Sequence, residues 1–324
     1  MLRPRGHDQP GAHPERYRRG VTLVEVLVVV FIVFVALMGF LFSLPRMRER
    51  ARMAGCQRNL GQVGIALALY DRAEGSLPTV PKLGSGPYAN PGTLKALIDS
   101  LAVPDLSELS DPAPSLERRK SVSSGERRIP GFLCPSEVST AEVAGFPAPV
   151  SYRSTGGDAP SGTNGGFAPG RKLRLAEVEE GDGLGYTAAF SERRLGSGQE
   201  SNPRPDRYRS ANGTVGDEGC SDTTAGIWKD DAGYSWVEAS WRSTLYNHVF
   251  APNSFADCVS ADGVTAAMGA SSAHASGVNV LMFDGSVRTI SPTMSLPLWK
   301  ALGTTHSPPT TPAVFPPETL QEPR

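Results

Sequence analysis

The longest apolar segment of the chain lies near its amino terminus and predicts a helix that crosses a membrane. Between Val26 and Leu44 no side chain is charged, and Ser43 carries the only hydroxyl group. A helix over residues 21–44 is about 36 Å long, which is enough to cross the hydrocarbon core of a bilayer. Glu25 lies inside the apolar region, where a carboxylate costs about 2 kcal/mol or more unless it is near the interface or paired. The pattern therefore predicts a membrane-spanning helix whose single acidic residue requires a partner.

After Pro45 the pattern becomes amphipathic, and the same helix is expected to continue to residue 75. One face carries apolar residues at spacings of three and four, typical of a helix with one buried side: Leu60, Val63, Leu67 and Tyr70. Gly75 and Pro78 are expected to end it. A long helix over residues 21–75 is thus the first predicted element.

The segment from 76 to 303 is predicted to be a folded body with short strands and many loops. Glycine and proline number 35 and 28 in the chain, which favours such a structure. The clearest local pattern is a β-prone run, Val278–Phe283, followed by Asp284-Gly285 as a two-residue turn and by a partner strand, Ser286–Ile290. Residues 196–224 are expected to form an irregular insertion, and the proline-rich tail 304–324 is expected to be disordered. The predicted fold class is α+β, with a long amino-terminal helix and a mostly antiparallel body.

Large aromatic side chains crowd one region of the predicted body, and we expect them to fill its core. They are Trp228, Tyr234, Trp236, Trp241 and Tyr246. A carbohydrate-binding platform is the alternative. The net charge is −1, and no basic stripe with interleaved aromatics follows residue 60, so a nucleic acid partner is not expected.

The sequence R-R-G-V-T-L-V-E at 18–25 resembles the type IV prepilin family, which includes the pseudopilins of type II secretion. In that family a prepilin peptidase cuts after the glycine and methylates the new amino terminus, and the fifth mature residue is glutamate. The resemblance implies a cytoplasmic leader, residues 1–20, cleavage between Gly20 and Val21, and methylation at Val21. It also implies that Glu25 pairs with the amino terminus of a neighbouring subunit during assembly. Val21 replaces the usual phenylalanine.

The location of the protein follows from the same resemblance. It implies a single pass through the inner membrane, a cytoplasmic amino terminus, and a body in the periplasm or outside the cell. The flanking positive charges nearly balance, so they do not set the orientation. An ordinary signal anchor, with Glu25 at headgroup depth, is the alternative interpretation.

The carboxy-terminal half resembles a large bacterial family of prepilin-type proteins whose last domain is named for a histidine nine residues before an Asp-Gly pair. Here the motif is His274 with Asp284 and Gly285, followed by S-V-R and L-W-K-A-L-G-T. The family has no established biochemical function. For His274 and Asp284 we favour a structural role, and a metal site or an acid–base pair is the alternative.

The four cysteines are even in number and form no C-x-x-C pair. For an exported body, disulfides are favoured over zinc, and three connectivities exist. We favour Cys56 with Cys134 and Cys220 with Cys258. Four free buried thiols remain the alternative.

No catalytic frame such as H-E-x-x-H or G-x-S-x-G is present, so the protein is not expected to be an enzyme, and no cofactor is predicted. Calcium is the metal that the sequence could accommodate, because hard oxygen ligands lie on glycine-rich segments. These are Asp182, Asp217, Glu218, Asp222, Asp230, Asp231, Asp262 and Asp284. Solvated turn carboxylates are the favoured interpretation.

Together these features predict a membrane-anchored, pseudopilin-like structural protein that assembles through its amino-terminal helix. Its expected partners are the prepilin peptidase, the lipid bilayer, and other pilin-like subunits or itself. The alternative is a monomeric surface or periplasmic binding protein that uses the prepilin signal only as an anchor. An exported hydrolase using His274 and Asp284 ranks last.

Overall fold

The computed structural model describes residues 22–84, 91–98, 128–137, 148–196, 206–220, 225–254 and 256–307. The chain divides into two compact units, residues 1–48 and residues 49–324. The predicted leader, the cleavage position at Gly20 and Val21, and the tail beyond residue 307 lie outside the described residues.

Helix α1 spans Leu23–Glu74, close to the predicted limits. It ends at Gly75, whose φ of +64° is left-handed and whose N–H donates to the carbonyl of Asp71 at 2.8 Å. In the second unit its buried face has the predicted spacing and packs into the core. This face consists of Cys56, Leu60, Val63 and Leu67, with Tyr70 partly buried.

The strands of the body are short. In chain order they are β1 (Tyr152–Thr155), β2 (Ala188–Glu192), β3 (Tyr208–Ala211), β4 (Ala225–Lys229), β5 (Leu245–Tyr246), β6 (Cys258–Ser260), β7 (Ala266–Ala267), β8 (Val278–Met282) and β9 (Val287–Ile290). Within the described residues they form a five-stranded sheet, β5-β1-β2-β8-β9, and a four-stranded sheet, β4-β3-β6-β7. Among the pairings of these described strands, β1–β5 and β3–β6 are parallel and the others are antiparallel. The α+β fold with mostly antiparallel strands is as predicted.

The hairpin of β8 and β9 is present, but its turn differs from the predicted two-residue turn. Gly285 N–H donates to the carbonyl of Met282 at 3.0 Å, and Met282 N–H donates to the carbonyl of Ser286 at 2.8 Å. The loop therefore has three residues, with Gly285 at a φ of +85°. This is a type I turn closed by a glycine bulge.

Strand β3 corrects the prediction of an irregular insertion over 196–224. It pairs with β4 and β6, and it belongs to the second sheet. A buried ion pair connects the two sheets: Arg193, which follows β2, donates to Asp257, which precedes β6, at 2.5 Å. An isolated carboxylate or guanidinium would not be stable at such a position, so each requires the other.

The remaining helices are short: α2 (Thr93–Leu97), α3 (Leu175–Glu180) and α4 (Leu296–Gly303), with a 3₁₀ turn at Pro130–Phe132. Thr304 and Thr305, placed in the disordered tail by the sequence, are buried. Asp182 accepts hydrogen bonds from the Thr304 hydroxyl and from the Ser307 N–H, at 2.9 and 2.8 Å. The ordered body therefore extends at least to Ser307.

The aromatic cluster supplies part of the core, as expected. Trp236, Trp241 and Tyr246 are completely buried. Trp228 is only partly buried and lies under the Arg209 guanidinium, 4.8 Å from the ring centroid.

Candidate functional site

The first half of α1 presents an apolar surface that nothing in its own unit covers. Large apolar side chains from Leu23 to Phe42 are 42–82% exposed. The helix is long and apolar enough to cross a membrane, and none of its most apolar segment is buried. An apolar surface of this extent requires lipid or other apolar helices around it.

Glu25 has a partner within the chain, at the amino terminus of α1. Its carboxylate accepts hydrogen bonds from the Thr22 N–H at 2.8 Å and from the Thr22 hydroxyl at 3.0 Å. In return, the Glu25 N–H donates to the Thr22 hydroxyl at 3.3 Å. This reciprocal pair is a capping box, which satisfies backbone donors that the first turn leaves free. The sequence analysis overlooked it, although T-x-x-E before an apolar run is its signature.

His274 lies in the loop that precedes β8, and it is buried between two carboxylates and a disulfide. Its Nδ1 is 2.7 Å from Oε1 of Glu49, and its Nε2 is 3.7 Å from Oε1 of Glu192. The same Nε2 is 3.5 Å from Sγ of Cys134. We call these side chains, together with Cys56, the His274 cluster.

The cluster joins segments that are far apart in the chain. Cys56 on α1 is bonded to Cys134 on the segment 128–137. Glu49 precedes Cys56 by seven residues, so both lie on one face of α1. Glu192 is the last residue of β2. The family-motif histidine therefore contacts the helix, the central sheet and the disulfide at one point.

The two carboxylates of the cluster differ in environment. Partial burial disfavours ionised Glu49, but hydrogen bonds from Arg52 and His274 outweigh it, so the pKa of this carboxyl is below its usual value. Burial raises the pKa of Glu192, although His274 and two hydrogen bonds from Asn279 oppose the shift. Glu192 is therefore the more deeply buried of the two carboxylates, and Glu49 is the one whose ionised form its contacts favour.

Asp284, the other half of the motif, has separate partners in the hairpin turn. Its carboxylate accepts the Ser286 N–H at 2.8 Å and lies 3.7 Å from the Arg288 guanidinium. The positive φ of this turn belongs to Gly285 and not to Asp284. His274 and Asp284 thus act at different places.

The other sites suggested by the sequence have local roles in the structure. Cys220 is bonded to Cys258, the pairing that the sequence analysis favoured. Among the calcium candidates, Asp231 accepts hydrogen bonds from Tyr208 and Arg242, and Asp262 accepts one from Ser260. Asp222 lies outside the described residues.

Sequence reasoning missed Glu49 and Glu192 as members of the cluster. Glu49 is the one acid within an arginine-rich run, R-M-R-E-R-A-R, two helical turns before Cys56. That position could have drawn attention to it. Glu192 gives no such signal, since a glutamate at a strand end is ordinarily exposed.

Family comparisons agree with both halves of this description. Residues 45–295 match the family described as "Protein of unknown function (DUF1559)", and residues 16–41 match the prokaryotic N-terminal methylation motif. The chain belongs to the DUF1559 family. Comparison with curated proteins and with solved structures finds no significant match.

These matches cover the features described above. The methylation motif includes Gly20, Val21 and Glu25, and the DUF1559 match includes the whole His274 cluster. The motif implies a substrate of a prepilin peptidase. With the apolar helix, it indicates a membrane-anchored, pilin-like protein of the DUF1559 family, as the resemblance implied.

Proposed function

We propose that this DUF1559 protein is a structural, pseudopilin-like subunit that assembles through the first half of α1. The observation that supports this most is the exposed apolar surface from Leu23 to Phe42, most of which lies within the match to the N-terminal methylation motif. A simple anchor needs only lipid around such a helix. A helix that is also an assembly element exchanges lipid contacts for contacts with other helices.

The proposed cycle begins with removal of the leader after Gly20 and methylation of Val21 by the prepilin peptidase. The mature helix then rests in the inner membrane, with the amino terminus on the cytoplasmic side. During assembly the carboxylate of Glu25 meets the amino-terminal cation of a neighbouring subunit. Two opposite charges removed from water favour one register between helices, because any other register leaves each of them unpaired.

The body is proposed to have no catalytic role and to serve as the exported face of the subunit. Two disulfides and the His274 cluster connect its distant segments. Such a body suits an oxidising compartment. We propose that His274 supports the packing of the second half of α1 on the sheet and does not act on a substrate.

The capping box allows the charge of Glu25 to be tested apart from its role at the helix terminus. Glu25→Gln keeps an oxygen that can accept the Thr22 N–H but removes the charge. Thr22→Val is the matched control, because it removes the hydroxyl from the cap and keeps the charge. Both variants retain Gly20 and Val21.

Chemical cross-linking in intact membranes gives the readout. We expect a ladder of oligomers for the natural chain and for Thr22→Val, and loss of the ladder for Glu25→Gln with the protein still in the membrane. If Glu25→Gln cross-links like the natural chain, the proposed pairing is wrong. If the natural chain gives no cross-linked oligomers, a monomeric, membrane-anchored binding protein is favoured.

A further inference from the structure

Besides Glu49, the His274 cluster contains four side chains of types that commonly bind metal ions. Single ligand atoms of Cys56, Cys134, Glu192 and His274 all lie within 4.8 Å of one another, and all four residues are buried. In the oxidised protein both sulfurs are occupied by the disulfide. Reduction of that bond frees both sulfurs for coordination.

We propose that reduction of the Cys56–Cys134 disulfide converts the His274 cluster into a tetrahedral zinc site. Its ligands are the two thiolates, Nε2 of His274 and Oε1 of Glu192. Disulfide and zinc complex are alternative states of the same side chains. This goes beyond the proposed assembly function and does not depend on it.

The distances between the ligands fit this geometry. Zinc bonds of about 2.3 Å to sulfur and 2.0–2.1 Å to nitrogen or oxygen place tetrahedral ligands roughly 3.3–3.8 Å apart. Nε2 of His274 is 3.5 Å from Sγ of Cys134 and 3.7 Å from Oε1 of Glu192. The two sulfurs, bonded to each other in the disulfide, must separate, and a small cavity lined by Cys134, Glu192, Ser271 and Ser272 lies beside the Cys134 sulfur.

The surroundings hold the ligands in the form that zinc requires. Nδ1 of His274 is 2.7 Å from Oε1 of Glu49, and the tautomer that donates its Nδ1–H to this oxygen leaves Nε2 available to the cluster. A histidine that binds a metal ordinarily donates its other N–H in this way. Asn279 fixes the carboxylate of Glu192 with hydrogen bonds from its backbone and side chain, at 3.1 and 2.9 Å. A cation beside Glu192 also satisfies a buried carboxylate.

The conversion of the disulfide into a zinc site has a reduction step and a metal-binding step. The disulfide takes two electrons and two protons from a dithiol reductant, which becomes a disulfide itself. Zinc binding then releases both thiol protons, and both sulfurs coordinate as thiolates. In the reverse direction, a disulfide-bearing oxidant accepts two electrons, the S–S bond forms again and zinc leaves.

The test uses the full chain in detergent, with Cys220→Ser/Cys258→Ser as the background so that the second disulfide cannot contribute thiols. After reduction, cobalt(II) is added and then displaced by zinc. We expect one metal ion per chain, a thiolate-to-cobalt charge-transfer band and the intense visible bands of tetrahedral cobalt. The unreduced chain should show none of these.

Variants on this background separate the ligands from the residue that positions them. His274→Gln and Glu192→Gln should each weaken zinc binding strongly. Glu49→Gln, which removes the charge beside the ring and also changes the contacts with Arg52 and Ser136, should weaken it about 10–100-fold. Arg174→Gln, at an exposed arginine directly before α3, is the control and should bind like the background.

Three results would overturn the proposal: no tetrahedral cobalt spectrum in the reduced chain, affinity unchanged by His274→Gln, or binding that persists in the unreduced chain. Circular dichroism and cysteine alkylation cover the case in which reduction unfolds the protein. Zinc should then restore the fold and protect Cys56 and Cys134 from alkylation. Failure to restore the fold would also refute the site.

Discussion

His248 and His274 are both buried, but their surroundings give them different properties. His274 lies between two carboxylates, and its Nδ1 is 2.7 Å from Oε1 of Glu49. His248 lies 2.6 Å from the carbonyl of Trp299 through Nδ1 and 3.0 Å from the Tyr246 hydroxyl through Nε2, and it stacks on the Trp299 ring. A neutral ring can donate to the carbonyl and accept from the hydroxyl. A charged ring has no acidic partner there in the described contacts.

Burial lowers the pKa of His248 to about 3, and this predicts acid sensitivity. Below the unfolded pKa of about 6.5, the unfolded chain takes up a proton that the folded chain does not. The free energy of unfolding therefore falls as the pH decreases from 6.5 towards 3, with a contribution from this group of up to about 1.4 kcal/mol per pH unit. Denaturant unfolding of the full chain between pH 7 and 4 measures this slope.

His248→Gln is expected to lower stability at pH 7 and to flatten the pH dependence. His306→Gln, at an exposed histidine, is the control and should retain the slope of the natural chain. Equal slopes for His248→Gln and the natural chain would show that His248 is not the group responsible.

At the scale of elements, the second half of α1 packs closely on the β8–β9 hairpin. A Cβ atom placed on Gly64 would lie 2.9 Å from Cδ1 of Leu281, whereas one on Gly61 would meet no atom within 4 Å. Gln57 adds a polar contact by donating to Asn279 and Thr289 at 3.3 and 3.2 Å. Glycine at position 64 therefore permits the close approach of helix and sheet.

Gly64→Val is expected to destabilise the body by about 1–3 kcal/mol, because the added side chain overpacks the interface with Leu281. Gly61→Val is the matched control and should be close to neutral, since valine replaces glycine in the same helix without the clash. Tryptophan fluorescence during urea unfolding measures both. Equal stability of the two variants would contradict the packing described here.

Elements with a strong local pattern could be predicted from the sequence, and elements defined by distant contacts could not. The limits of α1 follow from its apolar run, its periodicity and Gly75, and the hairpin follows from Asp284-Gly285. Strand β3 was missed because its sequence, Y-R-S-A, has no regular alternation of apolar and polar residues. The strand is defined instead by its pairing with the distant β6. Glu49 and His274 are 225 residues apart, and no local pattern indicates that they meet.

At the scale of the whole molecule, the chain has an exposed apolar helix and a body whose distant segments are connected by disulfides. Each half agrees with a different family match, and the two matches do not overlap along the chain. The helix is consistent with a single-pass membrane anchor, and the prepilin-type motif implies a substrate of a prepilin peptidase. The central claim is that the mature subunit begins where the peptidase cuts.

Mass spectrometry of the amino-terminal peptide from membrane extracts tests this claim most directly. The account predicts a mature protein that begins at N-methylated Val21, with residues 1–20 absent. A protein in the membrane that still begins at Met1, or that begins at an unmodified residue elsewhere, would contradict it.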